Sequence, residues 1–350
     1  MSKFWTDLVH QLKPYIPGEQ PQDQQYIKLN TNENPYPPSP AVTRAINSFA
    51  IDDLRRYPDP ESRELRQALA TRTGLGLEQV FVGNGSDEVL AHSFKAFFEG
   101  QDKILFPDIG YSFYPVYCSL FQTGYQAIPL DSNFAINIED YWQPNGGIII
   151  ANPNAPTGIT LAPAAIRELL DHTDSLVIID EAYVDFGADS AIALIADFPN
   201  LLVIQTFSKS RSLAGLRLGY ALGHVDLIEG LNRVKNSFNS YPVDQLGSVA
   251  AIASLADEDY YQLCKKRIIR TRDWLSDALT NLGFEVLPSN SNFVFVRHAS
   301  HPASDLYVEL KKAGILVRHF NSLRIENFLR ISIGTDDECE SLIEVMKRLL

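Results

Sequence analysis

Short apolar runs recur through the first two thirds of the chain, each separated from the next by a longer segment. That alternation constrains the fold more than any other feature. The runs are Val80–Val82, Lys103–Phe106, Gln126–Leu130, Ile148–Ala151, Leu176–Ile179, Leu201–Gln205 and Leu218–Leu222. Stretches of helical spacing lie between several of them, among them Glu61–Arg72, Asp87–Phe98 and Pro163–Asp171. Strands that alternate with helices predict an α/β domain with a mostly parallel sheet covered on both faces. Sheets of this kind bind ligands beyond the carboxyl ends of their strands.

Flanking this region the texture differs. Residues 14–40 are rich in Pro, Gln and Asn, which bars helix and predicts an extended arm. The large residues Tyr15, Tyr26, Ile27, Leu29 and Tyr36 are spaced along it as anchors. After residue 242 a long helical stretch, roughly Val243–Gly283, leads into strand-like SNFVFVR (291–297), a helix around Ala303–Lys312, and strand-like GILVRHF (314–320) and LRISIGT (329–335). An amphipathic helix, Asp337–Leu350, closes the chain. With 350 residues the chain exceeds one minimal core. The expected organisation is an arm over 1–40, a large domain over 41–242 and a smaller α+β domain over 243–350.

Charge and cysteine content exclude several functions. A formal net charge of -13 argues against nucleic acid as a partner, although it leaves room for a local basic pocket. Three cysteines without a CxxC pattern fit a reducing compartment and neither a disulfide frame nor a cysteine metal site. The first residues do not read as a signal peptide, and no apolar run is long enough to span a bilayer. A cytoplasmic protein with no membrane partner and no metal is expected.

Four local features carry chemistry. GNGSDEVL (83–90) takes a strand into a helix through a glycine turn, where Ser86 could cap the helix and free N–H groups would favour an anion. NPNAPTG (152–158) fixes a rigid loop after the Ile148 strand, with an amide at Asn154. LVIIDEAY (176–183) places Asp180 at a strand end, where a carboxylate needs a cation, and Tyr183 three residues on. TFSKSRSLAGLRLGY (206–220) crowds Thr206, Ser208, Ser210 and Ser212 around Lys209, with Arg217 following. A lysine so placed suits Schiff-base chemistry. Taken alone, GNGSDEVL reads more readily as an ordinary turn, NPNAPTG reads equally as one, and Lys209 reads better as a site lysine than as a solvated charge; their co-occurrence at strand ends is what discriminates.

In that order the motifs resemble the fold-type-I pyridoxal-phosphate-dependent aminotransferases. LKPYIPG (12–18), LNTNENPYPPSP (29–40), RRYPDP (55–60), SNFVFV (291–296) and VRHF followed by LRISIGT resemble the histidinol-phosphate aminotransferase family in particular. The resemblance covers nearly the whole chain and implies pyridoxal 5'-phosphate as cofactor, transamination in histidine biosynthesis and a homodimer. It implies that Lys209 holds the cofactor as a Schiff base, that Asp180 pairs with the pyridine nitrogen, and that Tyr183 and Asn154 meet the ring oxygen. Tyr111 would stack on the ring. Gly85, Ser86, Asp87, Thr206, Ser208 and Arg217 would hold the cofactor, together with Tyr57 from the partner subunit. Tyr15, Asn34, Arg318 and Arg330 would meet substrate, whose carboxylate or phosphate suits arginine forks. One departure stands out: the family commonly has asparagine directly before PTG, and here Ala155 fills that place. Aromatic amino acid aminotransferases and threonine-phosphate decarboxylases share the cofactor motifs and are the alternative readings.

Overall fold

The protein's structure, a computed structural model, describes residues 2–21 and 23–350; Met1 and, within the arm, Gln22 lie outside the described residues. Strand β1 (Ile27–Lys28) belongs to the arm. The next seven strands, β2 (Val80–Asn84), β3 (Ile104–Pro107), β4 (Tyr125–Ile128), β5 (Ile148–Ala151), β6 (Val177–Asp180), β7 (Leu201–Thr206) and β8 (Leu218–Gly223), form one sheet in the order β2-β8-β7-β6-β5-β3-β4. Its β7-β6-β5-β3-β4 portion is parallel, and β8 runs antiparallel to both β7 and β2.

Side-chain alternation divides the sheet's apolar residues between two cores. Ile148, Ile150, Val177, Ile179, Leu201 and Val203 face one layer of helices, through Leu65, Leu69, Ile166, Leu169 and Ala250. Ile149, Ile178, Leu202 and Ile204 face the other, through Val89, Leu90, Tyr114, Tyr117, Ile228 and Leu231. Both faces being covered is why these strands read as uninterrupted apolar runs. Each fully buried aliphatic side chain contributes roughly 1.5–3 kcal/mol over its exposed state.

A second unit follows. Strands β9 (Phe284–Val286), β10 (Phe293–His298), β12 (Arg318–His319) and β13 (Leu329–Ser332) make an antiparallel sheet in the order β12-β13-β10-β9. Strand β11 (Ile315–Leu316) instead pairs in parallel with β1 of the arm. GILVRHF is therefore not one strand but two short ones, serving different partners. The helical stretch expected over 243–283 is likewise two helices, Gln245–Ala256 and Glu258–Asn281, broken where the Asp257 carboxylate caps the second by accepting from Tyr260 N. The first packs against helices Pro40–Asn47 and Arg63–Thr73 of the sheet layer; the second supplies Ile268, Leu275 and Leu279 to the core of the smaller sheet. Strand β9 and helix Val225–Phe238 have no counterpart among the elements read from sequence. Among the described residues, no helix is long and apolar enough to cross a membrane.

Candidate active site

The parallel strands end at a cavity of about 460 Å³, and Ala151, Asp180 and Thr206, the last residues of β5, β6 and β7, line it. Chain order reverses here: β4 lies on one side of β3 and β5 on the other. The loops leaving β3 and β5 therefore diverge and open a crevice. Because β8 returns antiparallel, the 207–217 loop closes over the end of β7 and brings Lys209 and Arg217 to the cavity.

On the floor, Asp180 is 5% exposed and has no cationic partner among the described residues. Tyr114 Oη donates to its Oδ2 at 2.9 Å, and Ala182 N to Oδ1 at 3.3 Å. Burial pushes the carboxyl up to about 6 despite these bonds. Its neighbour Glu181 turns away from the cavity. It accepts from Ser190, Ala191 N and Gln205, and burial pushes it up to about 7.

One wall gathers backbone N–H, hydroxyl and guanidinium donors. Helix Gly85–Ser93 starts two residues earlier than expected, with Asn84 at its N-cap and no capping side-chain bond, so Ser86 is a first-turn residue and not the cap. The close approach there needs glycine twice. A Cβ at Gly219 would stand 2.2 Å from Ser86 N, and one at Gly85 would stand 2.6 Å from Arg217 Nη2. Arg217 Nη2 binds Asp87 Oδ2 at 3.2 Å, and Tyr111 Oη donates to Asp87 Oδ1 at 2.9 Å. Asp87 thus orients both an arginine and an aromatic ring. Thr206 Oγ1 accepts from Ser208 N at 3.1 Å, which leaves two hydroxyls side by side on this wall.

The arm and the smaller unit close the cavity. Arg330 comes from β13 and is sandwiched between the rings of Phe293 and Phe320, at 5.4 and 5.6 Å. Its Nη2 donates to Asn30 O at 3.0 Å, its Nε has no partner, and burial holds its pKa below the usual guanidinium range. Arg318 donates to the carbonyls of Ile16 and Pro17, at 3.2 and 3.3 Å. Tyr15 packs tilted against Phe113, with 4.9 Å between centroids. Lys209 Nζ donates to Thr31 O at 3.2 Å, so the amine points at the arm's backbone.

Of the residues singled out from sequence, Tyr15, Ser86, Asp87, Tyr111, Asp180, Tyr183, Thr206, Ser208, Lys209, Arg217, Arg318 and Arg330 all line this one cavity. Four do not. Gly85 lies behind Ser86, making room for Arg217. Asn34 donates to the carbonyls of Lys209 and Ser210, at 3.0 and 3.2 Å, and so braces the lysine loop. Asn154 spends its amide hydrogens on Ile109 O and Thr157 Oγ1, at 2.9 and 3.0 Å, and Ala155 is the loop residue that lines the cavity. Tyr57 is 80% exposed and stacks on Tyr241 at 4.7 Å. Sequence reasoning missed Tyr114, Thr31 and Asn32. Tyr114 stands three residues after Tyr111 in GYSFY; in NTNEN the residue types alone do not set Thr31 and Asn32 apart from a solvated arm, and the resemblance marked only Asn34.

Residues 24–346 match the family model for aminotransferase class I and II. Histidinol-phosphate aminotransferase 1 of Methylococcus capsulatus is 55% identical over 351 aligned residues, spanning 100% of this chain and 98% of that protein. The protein of the same name from Bradyrhizobium diazoefficiens is also 55% identical, with 100% of both chains covered. Among solved structures, histidinol-phosphate aminotransferase from Sinorhizobium meliloti in complex with pyridoxal-5'-phosphate superposes with a TM-score of 0.90 at 25% identity, covering 100% of this chain and 99% of that one. The chain belongs to the class I and II aminotransferases and, within them, to the histidinol-phosphate aminotransferase family.

Proposed function

We propose that this chain is a pyridoxal-phosphate-dependent transaminase of histidine biosynthesis. It interconverts L-histidinol phosphate plus 2-oxoglutarate with imidazole acetol phosphate plus L-glutamate. The observation that carries this reading is the pair Arg318 and Arg330, cross-strand partners in β12 and β13, both lining the cavity that holds Lys209. Such a pair suits substrates that carry phosphate or carboxylate. The 55% identical relatives favour it over an aromatic aminotransferase or a threonine-phosphate decarboxylase.

The cavity's donors fit pyridoxal phosphate. Asp180 is a buried carboxylate in need of a cation, which a protonated pyridine nitrogen supplies. Ser86, Thr206, Ser208 and Arg217 gather N–H, hydroxyl and guanidinium donors for its phosphate. Once bound, the cofactor supplies an electron sink for charge developing at the substrate's Cα. With the cofactor bound, Asp180 would keep the ring nitrogen protonated, Tyr183 would meet the ring oxygen and Tyr111 would stack on the ring. Lys209 holds the cofactor and carries the proton to and from Cα. Arg330 fixes the substrate's anionic end, with Arg318 and Tyr15 nearer the phosphate, and the arm above them limits water.

The working form is a cytoplasmic homodimer. Tyr57, Tyr241, Phe238, Ile51 and Leu54 are exposed apolar side chains around one edge of the large sheet domain, which supports a twofold contact there. In that dimer Tyr57 reaches the partner's cofactor phosphate. The test of the activity is turnover of histidinol phosphate against phenylalanine and threonine phosphate, with 2-oxoglutarate as acceptor. A visible absorbance band bleached by glutamate and by histidinol phosphate is expected. Preference for phenylalanine, or release of CO₂ from a phosphorylated amino acid, would overturn the assignment.

A further inference from the structure

The Tyr183 hydroxyl has one proton, and its surroundings decide where that proton goes. Asn32 Nδ2 lies 3.0 Å from Tyr183 Oη and donates to it. The phenol oxygen is therefore an acceptor on that side, and no acceptor for its own proton is found among the described residues. The amide is not free to turn over. Ser332 Oγ accepts from Asn32 N at 2.8 Å and donates to Asn32 Oδ1 at 2.8 Å. Were the amide reversed, the Ser332 hydroxyl hydrogen would lose its acceptor in a residue only 2% exposed. Asn292 Nδ2 also donates to Asn32 O, at 2.9 Å. Asn32 itself is 1% exposed with φ 56°, a left-handed backbone that asparagine adopts more readily than most residues.

A second observation gives this arrangement a purpose. The loop after β5 presents the methyl of Ala155 to the cavity, and both amide hydrogens of Asn154 are engaged elsewhere. That loop supplies no side-chain donor to the cavity. Tyr183 stands close to the lysine, with Lys209 Nζ 5.7 Å from its ring centroid.

We propose that Asn32 is a positioning residue for the reaction. It holds the Tyr183 oxygen as an acceptor, so that the phenol proton is delivered into the cavity, onto the ring oxygen of pyridoxal phosphate. This rests on the reading that Tyr183 meets that oxygen. An N–H donated to the phenol oxygen also makes its O–H a stronger donor. Charge drawn from the ring oxygen loosens the proton held at the Lys209 nitrogen in the holoenzyme. The pH at which the visible absorbance titrates therefore falls, which suits a lysine that must later accept and return a proton.

The experiment is a pH titration of the visible absorbance of four holoenzymes: wild type, Asn32→Gly, Tyr183→Phe and the double variant. Glycine is chosen over alanine because it takes the left-handed backbone without strain. Thermal melting of each apoprotein reports on the fold. The midpoint is expected to rise in Asn32→Gly by about half to one pH unit, the size of one hydrogen bond. It is expected to rise further in Tyr183→Phe, and the double variant should match Tyr183→Phe, because Asn32 acts only through Tyr183. A shifted Tyr183→Phe beside an unshifted Asn32→Gly, or additive shifts in the double variant, would overturn the role of Asn32 while leaving that of Tyr183. An unshifted Tyr183→Phe would overturn the reading of Tyr183 itself, and the inference with it.

Discussion

Arg318 and Arg330 are directly opposed in the antiparallel pairing of β12 with β13. Neither forms an ion pair among the described residues; both are held by arm carbonyls, from Ile16, Pro17 and Asn30. Like charges opposed across a ladder destabilise it. The desolvated Arg330 guanidinium, with its unpartnered Nε, adds a cost that an anion would relieve. The strand pairing therefore leaves two guanidinium groups at the cavity without an ion-pair partner among the described residues.

The two arginines are expected to differ. Arg318→Ala should lower kcat/KM for histidinol phosphate by about ten- to a hundredfold, the loss of one charge-assisted pair of about 1.5–3 kcal/mol. The glutamate half-reaction should suffer less, since glutamate carries no phosphate. Single-turnover measurements of each half-reaction check this. Equal losses in both would make Arg318 a tether for the arm and nothing more.

Replacing Arg330 by Met should weaken both half-reactions and yet not destabilise the apoprotein. A half-buried cation with an unpartnered, buried Nε gives way to an apolar side chain between Phe293 and Phe320. Calorimetry of the apoprotein reads the second effect. A clear fall in Tm would mean that the Asn30 contact outweighs the desolvation cost.

Lys209→Ala should abolish transamination while leaving the fold intact, and added pyridoxal phosphate should still bind. Loss of its proton transfer alone accounts for about 10²–10⁴ in rate, and loss of the covalent bond for more. Near-normal turnover, measured with added pyridoxal phosphate, would remove Lys209 from the mechanism.

Asp180→Asn separates two consequences of one carboxylate. Its pKa stands at about 6 in the folded chain, against an ordinary aspartate value of 3.8. The raised value means that the group's contribution to stability is complete below about pH 4 and is lost as pH rises through about 6. Apo Asp180→Asn should therefore be as stable as wild type near pH 4 and more stable at pH 8, in melts across that range. The holoenzyme should show the reverse cost, because an amide cannot keep the ring nitrogen protonated and turnover becomes very slow. If kcat survives, Asp180 is not the partner of the ring.

Tyr57 is predicted to act in the neighbouring subunit. Inactive Lys209→Ala mixed with a Tyr57 variant of poor cofactor affinity should regain activity under exchange, since hybrid dimers hold one site with neither defect. Native mass measurement confirms exchange. Hybrids without activity would confine Tyr57 to its stack on Tyr241.

How much of this was legible before folding depends on how local each signal is. Asp180 and Lys209 stand at the ends of apolar runs, and a strand end next to a turn is a property of a few consecutive residues. The seven strands of the large sheet, the chemistry at their ends and the family resemblance could all be read in this way. The break at Asp257 could not, because one capping carboxylate interrupts an apolar pattern that otherwise continues across it.

The sequence by itself determined which groups the site contains: a lysine, a carboxylate, a cluster of hydroxyls and two arginines. Tertiary structure alone decided which of them face one another. Asn32 meets Ser332 across 300 residues, Lys209 meets Thr31 across 178, and Arg318 opposes Arg330 through strand register. Tertiary structure also turned Asn154 away and put Ala155 on the cavity wall. The physical reason is that composition and periodicity report the surroundings of each residue one at a time. Hydrogen-bond direction and strand register are relations between segments, and they exist only once packing has brought those segments together.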